Sequence, residues 1–126
     1  ESNATESARM VGDYFIHAIL KGKVPGADDP VETVLIIGFD PETSNFVGTW
    51  IGSPMPNLVN YTGTLSDDNT TLTLSCDAPD LEDQNKTSAY RDVIIITSEN
   101  TREFHSEIRL EDGSWNRFMS SHYTRA

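Results

Sequence analysis

Apolar and polar positions alternate with a period of two along most of the chain, the signature of half-buried β-strands. The clearest case is Val34–Trp50. Val34-Leu35-Ile36-Ile37 is an apolar run rich in β-branched residues, and Phe46–Ile51 is a second one carrying Trp50. Between them, Asp40-Pro41-Glu42-Thr43-Ser44-Asn45 is dense in residues that set turn dihedrals or cap turns through their side chains, so the pair reads as a hairpin. The same reading predicts strands at Ala4–Val11, Asp13–Leu20, Val31–Phe39, Phe46–Ile51, Asn57–Leu65, Thr70–Cys76, Thr87–Thr97, Arg102–Leu110 and Trp115–Arg125. Turns or loops are expected at Gly22–Pro30, Ser53–Pro56, Ser66–Asn69, Asp77–Lys86, Ser98–Asn100 and Glu111–Ser114; Asp112-Gly113 in the last is a strong hairpin signal. His17–Gly22 has a composition that a short helix would accept, but its β-branched and aromatic neighbours favour strand.

About nine strands joined mostly by short connections predict an all-β antiparallel meander in one domain over residues 1–126. A sheet that long in so small a protein removes its exposed edges by closing into a β-barrel; a two-sheet sandwich is the alternative. In a meander, successive connections alternate between two ends. The longer, proline-bearing ones (Gly22–Pro30, Ser53–Pro56, Asp77–Lys86) fall at one end with Glu111–Ser114. Long loops at one rim commonly frame a ligand cavity. Strand ends at that rim carry Trp50, Asn57, Tyr90, Arg91, Arg109, Trp115 and Arg117.

Composition narrows the function classes. Twenty acidic residues against nine basic ones give a formal net charge of −11. Such an acidic protein repels phosphate backbones, and without a basic cluster nucleic acid is not an expected partner. No apolar run approaches the roughly eighteen residues of a membrane-spanning helix. The polar start Glu1-Ser2-Asn3 is no secretory leader, which favours the cytoplasm over secretion, although a mature or trimmed chain would look the same. Asp28-Asp29, Asp67-Asp68 and Glu82-Asp83 fall in loops without the ligand spacing of a calcium loop. Cys76 is the single cysteine, so neither an internal disulfide nor a cysteine-based zinc site is available, and it reads as a small strand-borne thiol rather than a nucleophile. The four Asn-x-Ser/Thr sequons, at Asn3, Asn60, Asn69 and Asn85, carry meaning only in a eukaryotic secretory pathway.

Candidate chemistry is sparse. No nucleophile elbow, phosphate loop, metalloprotease motif or dinucleotide fingerprint occurs. His17, His105 and His122 are the only histidines, and no metal or cofactor is expected. In Tyr90-Arg91-Asp92, alternation puts Tyr90 and Asp92 on one face and Arg91 on the other. There Arg91 either clamps a carboxylate or phosphate, or pairs with a surface acid. On the last strand, alternation puts Trp115, Arg117, Met119 and Tyr123 on one face, opposite Phe118 and His122. Trp50 reads as core or as one wall of a pocket. The candidate ligand-binding set is therefore Trp50, Asn57, Tyr90, Arg91, Trp115, Arg117 and His122, with no catalytic residue assigned.

The motifs Ile37-Gly38-Phe39-Asp40-Pro41-Glu42-Thr43, Phe46-Val47-Gly48-Thr49-Trp50-Ile51-Gly52-Ser53 and Tyr61-Thr62-Gly63-Thr64-Leu65 resemble a bacterial family known as domain of unknown function 1579. Tyr90-Arg91-Asp92-Val93, Asp112-Gly113-Ser114-Trp115, Phe118-Met119 and His122-Tyr123 fit the same family, as do Thr5–Arg9 and Gly12. The resemblance covers essentially the whole chain and implies a barrel similar to the lipocalins and fatty-acid-binding proteins, with no activity, substrate or catalytic residue attached. The family begins with a further Trp-bearing strand that has no counterpart before Glu1, so the resemblance implies either a chain trimmed at its start or a barrel that closes differently without that strand. Relatives often carry a His where this chain has Asn57.

The preferred functional reading is a barrel that binds a small apolar or amphipathic molecule without chemistry. The first alternative is a homodimeric interaction module with a filled barrel. The second is an enzyme using a carboxylate or histidine, among Asp92, His122 and His17, in the cavity.

Overall fold

The β-branched runs form strands throughout. The computed structural model describes residues 3–23, 28–83 and 85–125, and these hold nine strands and no helix. They are β1 (Asn3–Val11), β2 (Phe15–Lys23), β3 (Val31–Asp40), β4 (Asn45–Gly52), β5 (Met55–Leu65), β6 (Thr71–Pro79), β7 (Thr87–Ile96), β8 (Thr101–Arg109) and β9 (Trp115–Thr124). Neighbours in the sheet follow chain order, the all-β antiparallel meander that the alternation predicts.

Several boundaries differ from the sequence reading. Asp13 and Tyr14 belong to the turn after Gly12, not to β2, because Gly12 takes a left-handed backbone (φ 66°) that reverses the chain there. β2 runs on to Lys23 instead of stopping at Leu20, since Lys21 and Gly22 pair with Glu32 and Val31. Met55 and Pro56 open β5 rather than lying in a break, and β6 continues past Cys76 to Pro79; a proline is tolerated where a strand begins or ends. Within the predicted loops, residues 24–27 and 84 lie outside the described residues.

The chain divides into two compact units, Glu1–Tyr61 and Thr62–Ala126. In the first, Ala18, Leu35 and Trp50 stand side by side across β2, β3 and β4, and Ile16 pairs with Ile37 on that face. The other face carries His17, Ile36 and Thr49 in one row and Ile19, Val34 and Ile51 in the next. Both faces of β3 are apolar, as the run Val34–Ile37 implies. Close backbone approach is purchased with glycine. A Cβ on Gly48 would stand 2.6 Å from the Ile36 carbonyl oxygen, and one on Gly38 would stand 2.3 Å from the Phe15 ring that covers it. The Trp50 ring lies over Gly52 in the same manner, and Phe39 meets Phe46 edge to face at 5.3 Å.

The second unit has a different cross-section. One face of β6–β8 carries Leu72, Leu74 and Cys76, then Tyr90, Asp92 and Ile94, then Phe104, Ser106 and Ile108. Leu74 is its best-buried side chain, 1% exposed. The Asp92 carboxylate accepts a 2.6 Å hydrogen bond from Ser106, which satisfies a charge placed among apolar neighbours. Burial first, then the Asp92 and Asp77 charges, push the Cys76 thiol up to about 12. The opposite face carries Ser75, Arg91, Val93, His105 and Glu107.

One register feature corrects the reading of the last strand. Glu107 pairs with Arg117 but Ser106 pairs with Met119, so Phe118 is the extra residue of a β-bulge. The bulge breaks strict alternation. Trp115 and Arg117 share the Glu107 face with His122, while Met119 and Tyr123 lie on the Ser106 face. Phe118 packs edge to face on Tyr90, centroids 6.0 Å apart.

Candidate functional site

Two places collect the kinds of side chain that bind small molecules. The first is an open groove in the first unit. It has a volume of about 380 Å³ and is lined by Val34, Ile51, Met55, Pro56 and Leu58, with Glu32, Ser53 and Asn57 supplying the polar groups. The register explains its floor: Val34 and Ile51 are cross-strand partners on β3 and β4. Leu58 and Ile51 are 59% and 47% exposed, an apolar surface that water meets directly. One margin is fixed by a reciprocal pair: the Ser53 N–H donates to the Glu32 carbonyl (2.8 Å), and the Glu32 N–H donates to the Ser53 hydroxyl (3.0 Å). Nearby, the Thr49 hydroxyl reaches the Val59 carbonyl (3.0 Å) and the Asn60 amide oxygen (3.1 Å), tying β4 to β5. A smaller hollow of about 190 Å³ lies against Thr5, Ser7, Ile19 and Lys21.

The second place is the polar face of β7–β9. Arg91 reaches Glu107 through its Nε–H, and the Arg91 guanidinium lies over the Trp115 ring, 4.1 Å from the centroid. His105 stands beside them, 9% exposed, its Nε2 3.9 Å from Glu107 and 3.5 Å from an Arg117 terminal nitrogen. Burial, and then the Arg117 charge, hold the imidazole below its ordinary value, against the opposing pull of Glu107. At neutral pH His105 is therefore uncharged and can accept from Arg117. Arg109 is the cross-strand partner of Trp115, two residues along β8 from Glu107 on the same face.

These positions redistribute the residues that the sequence singled out. Arg91, Trp115 and Arg117 come together. Tyr90 lies on the opposite face, its hydroxyl donating 2.6 Å to the Pro79 carbonyl, and acts as a strand-to-strand pin. His122 pairs with Glu103 at 2.6 Å, four residue pairs along the ladder from the Glu107–Arg117 pair. Asn57 lines the groove of the first unit, whereas Trp50 projects from the other face of β4 than Ile51. His17 stands opposite Ile36 and Arg9 in the first unit, and among the described residues no three His, Cys, Asp or Glu side chains gather as a metal site. Glu107 and His105 were not singled out by the sequence, although a signal existed. Phe104, Ser106, Ile108 and Leu110 mark one face of β8, so Glu103, His105, Glu107 and Arg109 had to share the other. Val34, Ile51 and Leu58 left no such signal, because apolar residues on a strand look alike whether covered or open.

The sequence model of the family described as Protein of unknown function (DUF1579) matches residues 1–125. The chain belongs to this DUF1579 family. No curated protein and no solved structure matches it. Among the described residues no helix is long and apolar enough to cross a membrane, a statement that leaves β-strands aside.

Proposed function

We propose that this DUF1579 protein binds a small apolar or amphipathic molecule without transforming it. The observation that supports this is the groove of about 380 Å³ in the first unit, whose floor of Val34, Ile51, Met55, Pro56 and Leu58 is bordered by the polar groups of Glu32, Ser53 and Asn57. That volume and that mixture suit a small organic ligand: the floor supplies non-directional affinity, and the Asn57 amide and Glu32 carboxylate fix orientation. Because the groove is open, a ligand buries one side only, and affinity in the micromolar range or weaker is expected. No catalytic role is assigned, since Asp92 and His122 lie on opposite faces of the second unit and neither lines the groove.

The test starts with native mass spectrometry of the purified protein, followed by denaturing extraction of any retained molecule. Titration with the neutral probe N-phenyl-1-naphthylamine follows. Leu58→Asp and Ile51→Asp, both at exposed positions, should abolish the fluorescence rise. Unchanged binding in both variants, with no molecule extracted from the wild type, would sink the reading.

A second reading, a homodimeric module, draws support from the cross-strand pair Met10 and Ile16, which are 52% and 44% exposed. Sedimentation equilibrium separates the two: a monomer at all concentrations removes the dimer reading.

A further inference from the structure

The groove and the smaller hollow of the first unit lie on one face of the sheet, and together they present a pattern that neither shows alone. In register across β1–β4, Ser7, Ile19, Val34 and Ile51 form one row, and Thr5, Lys21 and Glu32 form the next, two residues along each strand. Ser53 extends the second row through its two hydrogen bonds to the Glu32 backbone (2.8 and 3.0 Å). The first row is apolar from Ile19 to Ile51 and leads to Leu58 in the groove. The second row is polar and lies about 7 Å away. At its centre is a pair of opposite charges: Lys21, which lines the smaller hollow, is the direct cross-strand partner of Glu32, which lines the groove. Cβ atoms so placed stand about 4.5–5.5 Å apart. Both residues are exposed, so both charged ends can be met by one small head group lying over the pair. Among the described residues that line the two hollows, Lys21 and Glu32 are the only charged ones.

We infer that the two hollows form one site for a zwitterionic amphiphile, a refinement that rests on the groove reading above. The tail follows the apolar row Ile19–Val34–Ile51 toward Leu58, and the head group lies over Lys21 and Glu32. The Lys21 ammonium takes the anionic group of the head, with the Thr5 and Ser7 hydroxyls in the same hollow as further donors. The Glu32 carboxylate takes the cationic group, with the Asn57 amide oxygen in the groove as a further acceptor. Each charge also rejects a wrong partner. A purely anionic head meets the Glu32 carboxylate, and a purely cationic one meets the Lys21 ammonium. Like-charge repulsion penalises either, whereas a zwitterion satisfies both ends at once.

The test is isothermal titration of the full chain with three probes of equal chain length: 2-aminooctanoate, a zwitterion; octylamine, a cation; and octanoate, an anion. The zwitterion is expected to bind about tenfold more tightly than either of the others. Lys21→Ala should bring it down to the level of octylamine, and Glu32→Gln to the level of octanoate. Lys86→Ala, in the second unit, should change none of the three. Lys21 and Glu32 are exposed, so their variants keep the fold, and circular dichroism checks it for each sample. Leu58→Asp should abolish binding of all three probes. Equal affinity for the three, or a preference that survives both charge variants, overturns the zwitterion assignment; if Leu58→Asp still abolishes binding, the groove reading stands. No binding of any probe, or binding indifferent to Leu58→Asp, overturns both.

Discussion

The two units solve the same problem, holding twisted strands together, with different chemistry. In Glu1–Tyr61 the means are steric: rings laid over glycines, Phe15 on Gly38 and Trp50 on Gly52, and a backbone approach at Gly48 that leaves no room for a side chain. In Thr62–Ala126 the means are largely polar. Arg91 pairs with Glu107, Ser106 with Asp92 and His122 with Glu103, each across a strand boundary, and of these only the Ser106–Asp92 pair shares the face of Leu74, which is 1% exposed. The difference matters because steric fit has no pH or salt dependence, whereas ionic and hydrogen-bonded pairs have both. Perturbations should therefore separate the units by mechanism.

The largest effects come from packing. Leu74→Ala removes the best-buried side chain of the second unit and should cost about 3 kcal/mol in chemical denaturation. Gly48→Ala is its counterpart in the first unit. The new methyl meets the backbone oxygen of Ile36, which cannot rotate away, and a loss of about 2–3 kcal/mol is expected. A Gly48→Ala protein as stable as the wild type would break the steric account of the first unit.

Next come the charges. Replacing Arg91 by Met and Glu107 by Gln, singly and together, should give a coupling energy of about 1 kcal/mol, because the carboxylate is mostly buried but the guanidinium is about a third exposed. The coupling should shrink with added salt, while the Gly48→Ala cost should not. No coupling at low salt would remove the ionic half of the comparison.

Acid sharpens it further. The depressed His105 value means that the unfolded chain takes up a proton first as pH falls. Stability is full above about 6.5, the ordinary value, and is lost as pH drops toward the lower folded-state value. A melting-temperature profile should fall in that window and flatten in His105→Gln. A separate loss belongs near and below the ordinary carboxylate range. Asp68, held down by the Ser66 and Thr70 hydroxyls, and Asp112, held down by Ser114, contribute stability above that range and lose it as pH falls through their depressed values. Both acid steps arise in the second unit, so probes there should move first.

The smallest effect is chemical. With its thiol raised to about 12, Cys76 carries very little thiolate. Its alkylation by iodoacetamide at pH 8 should be on the order of a thousandfold slower than that of an unfolded control. Rapid modification would mean that this face opens readily.

Much of the architecture is legible in residue order, because β-branched alternation and turn residues act locally. The hairpin around Asp40–Asn45, the Asp112-Gly113 turn and the opposite facing of Tyr90 and Arg91 all follow from a period of two and from backbone dihedral preferences. The candidate site was only partly legible. Arg91, Trp115 and Arg117 could be named as rim residues, but their meeting depends on the registers that set Arg91 and Arg117 on either side of Glu107, and the bulge at Phe118 then reverses the facing of everything after it on β9, which brings His122 to the same face. A bulge is a mismatch between two strands, and one strand's pattern does not contain it. Alternation along β8 places Glu107 on the polar face, but its partner Arg91 across β7 is set by the register.

By itself, the amino-acid order determined an all-β meander, the family, the acidic surface and the polar and apolar faces of each strand short of its irregularities, because all of these are set by residue type and near neighbours. Tertiary structure alone decided that Arg91 meets Glu107, which apolar rows stay open to solvent and on which side of β9 each residue lies. Those outcomes are fixed by inter-strand register, where residues far apart in the chain meet, and a shift of one residue reverses the result.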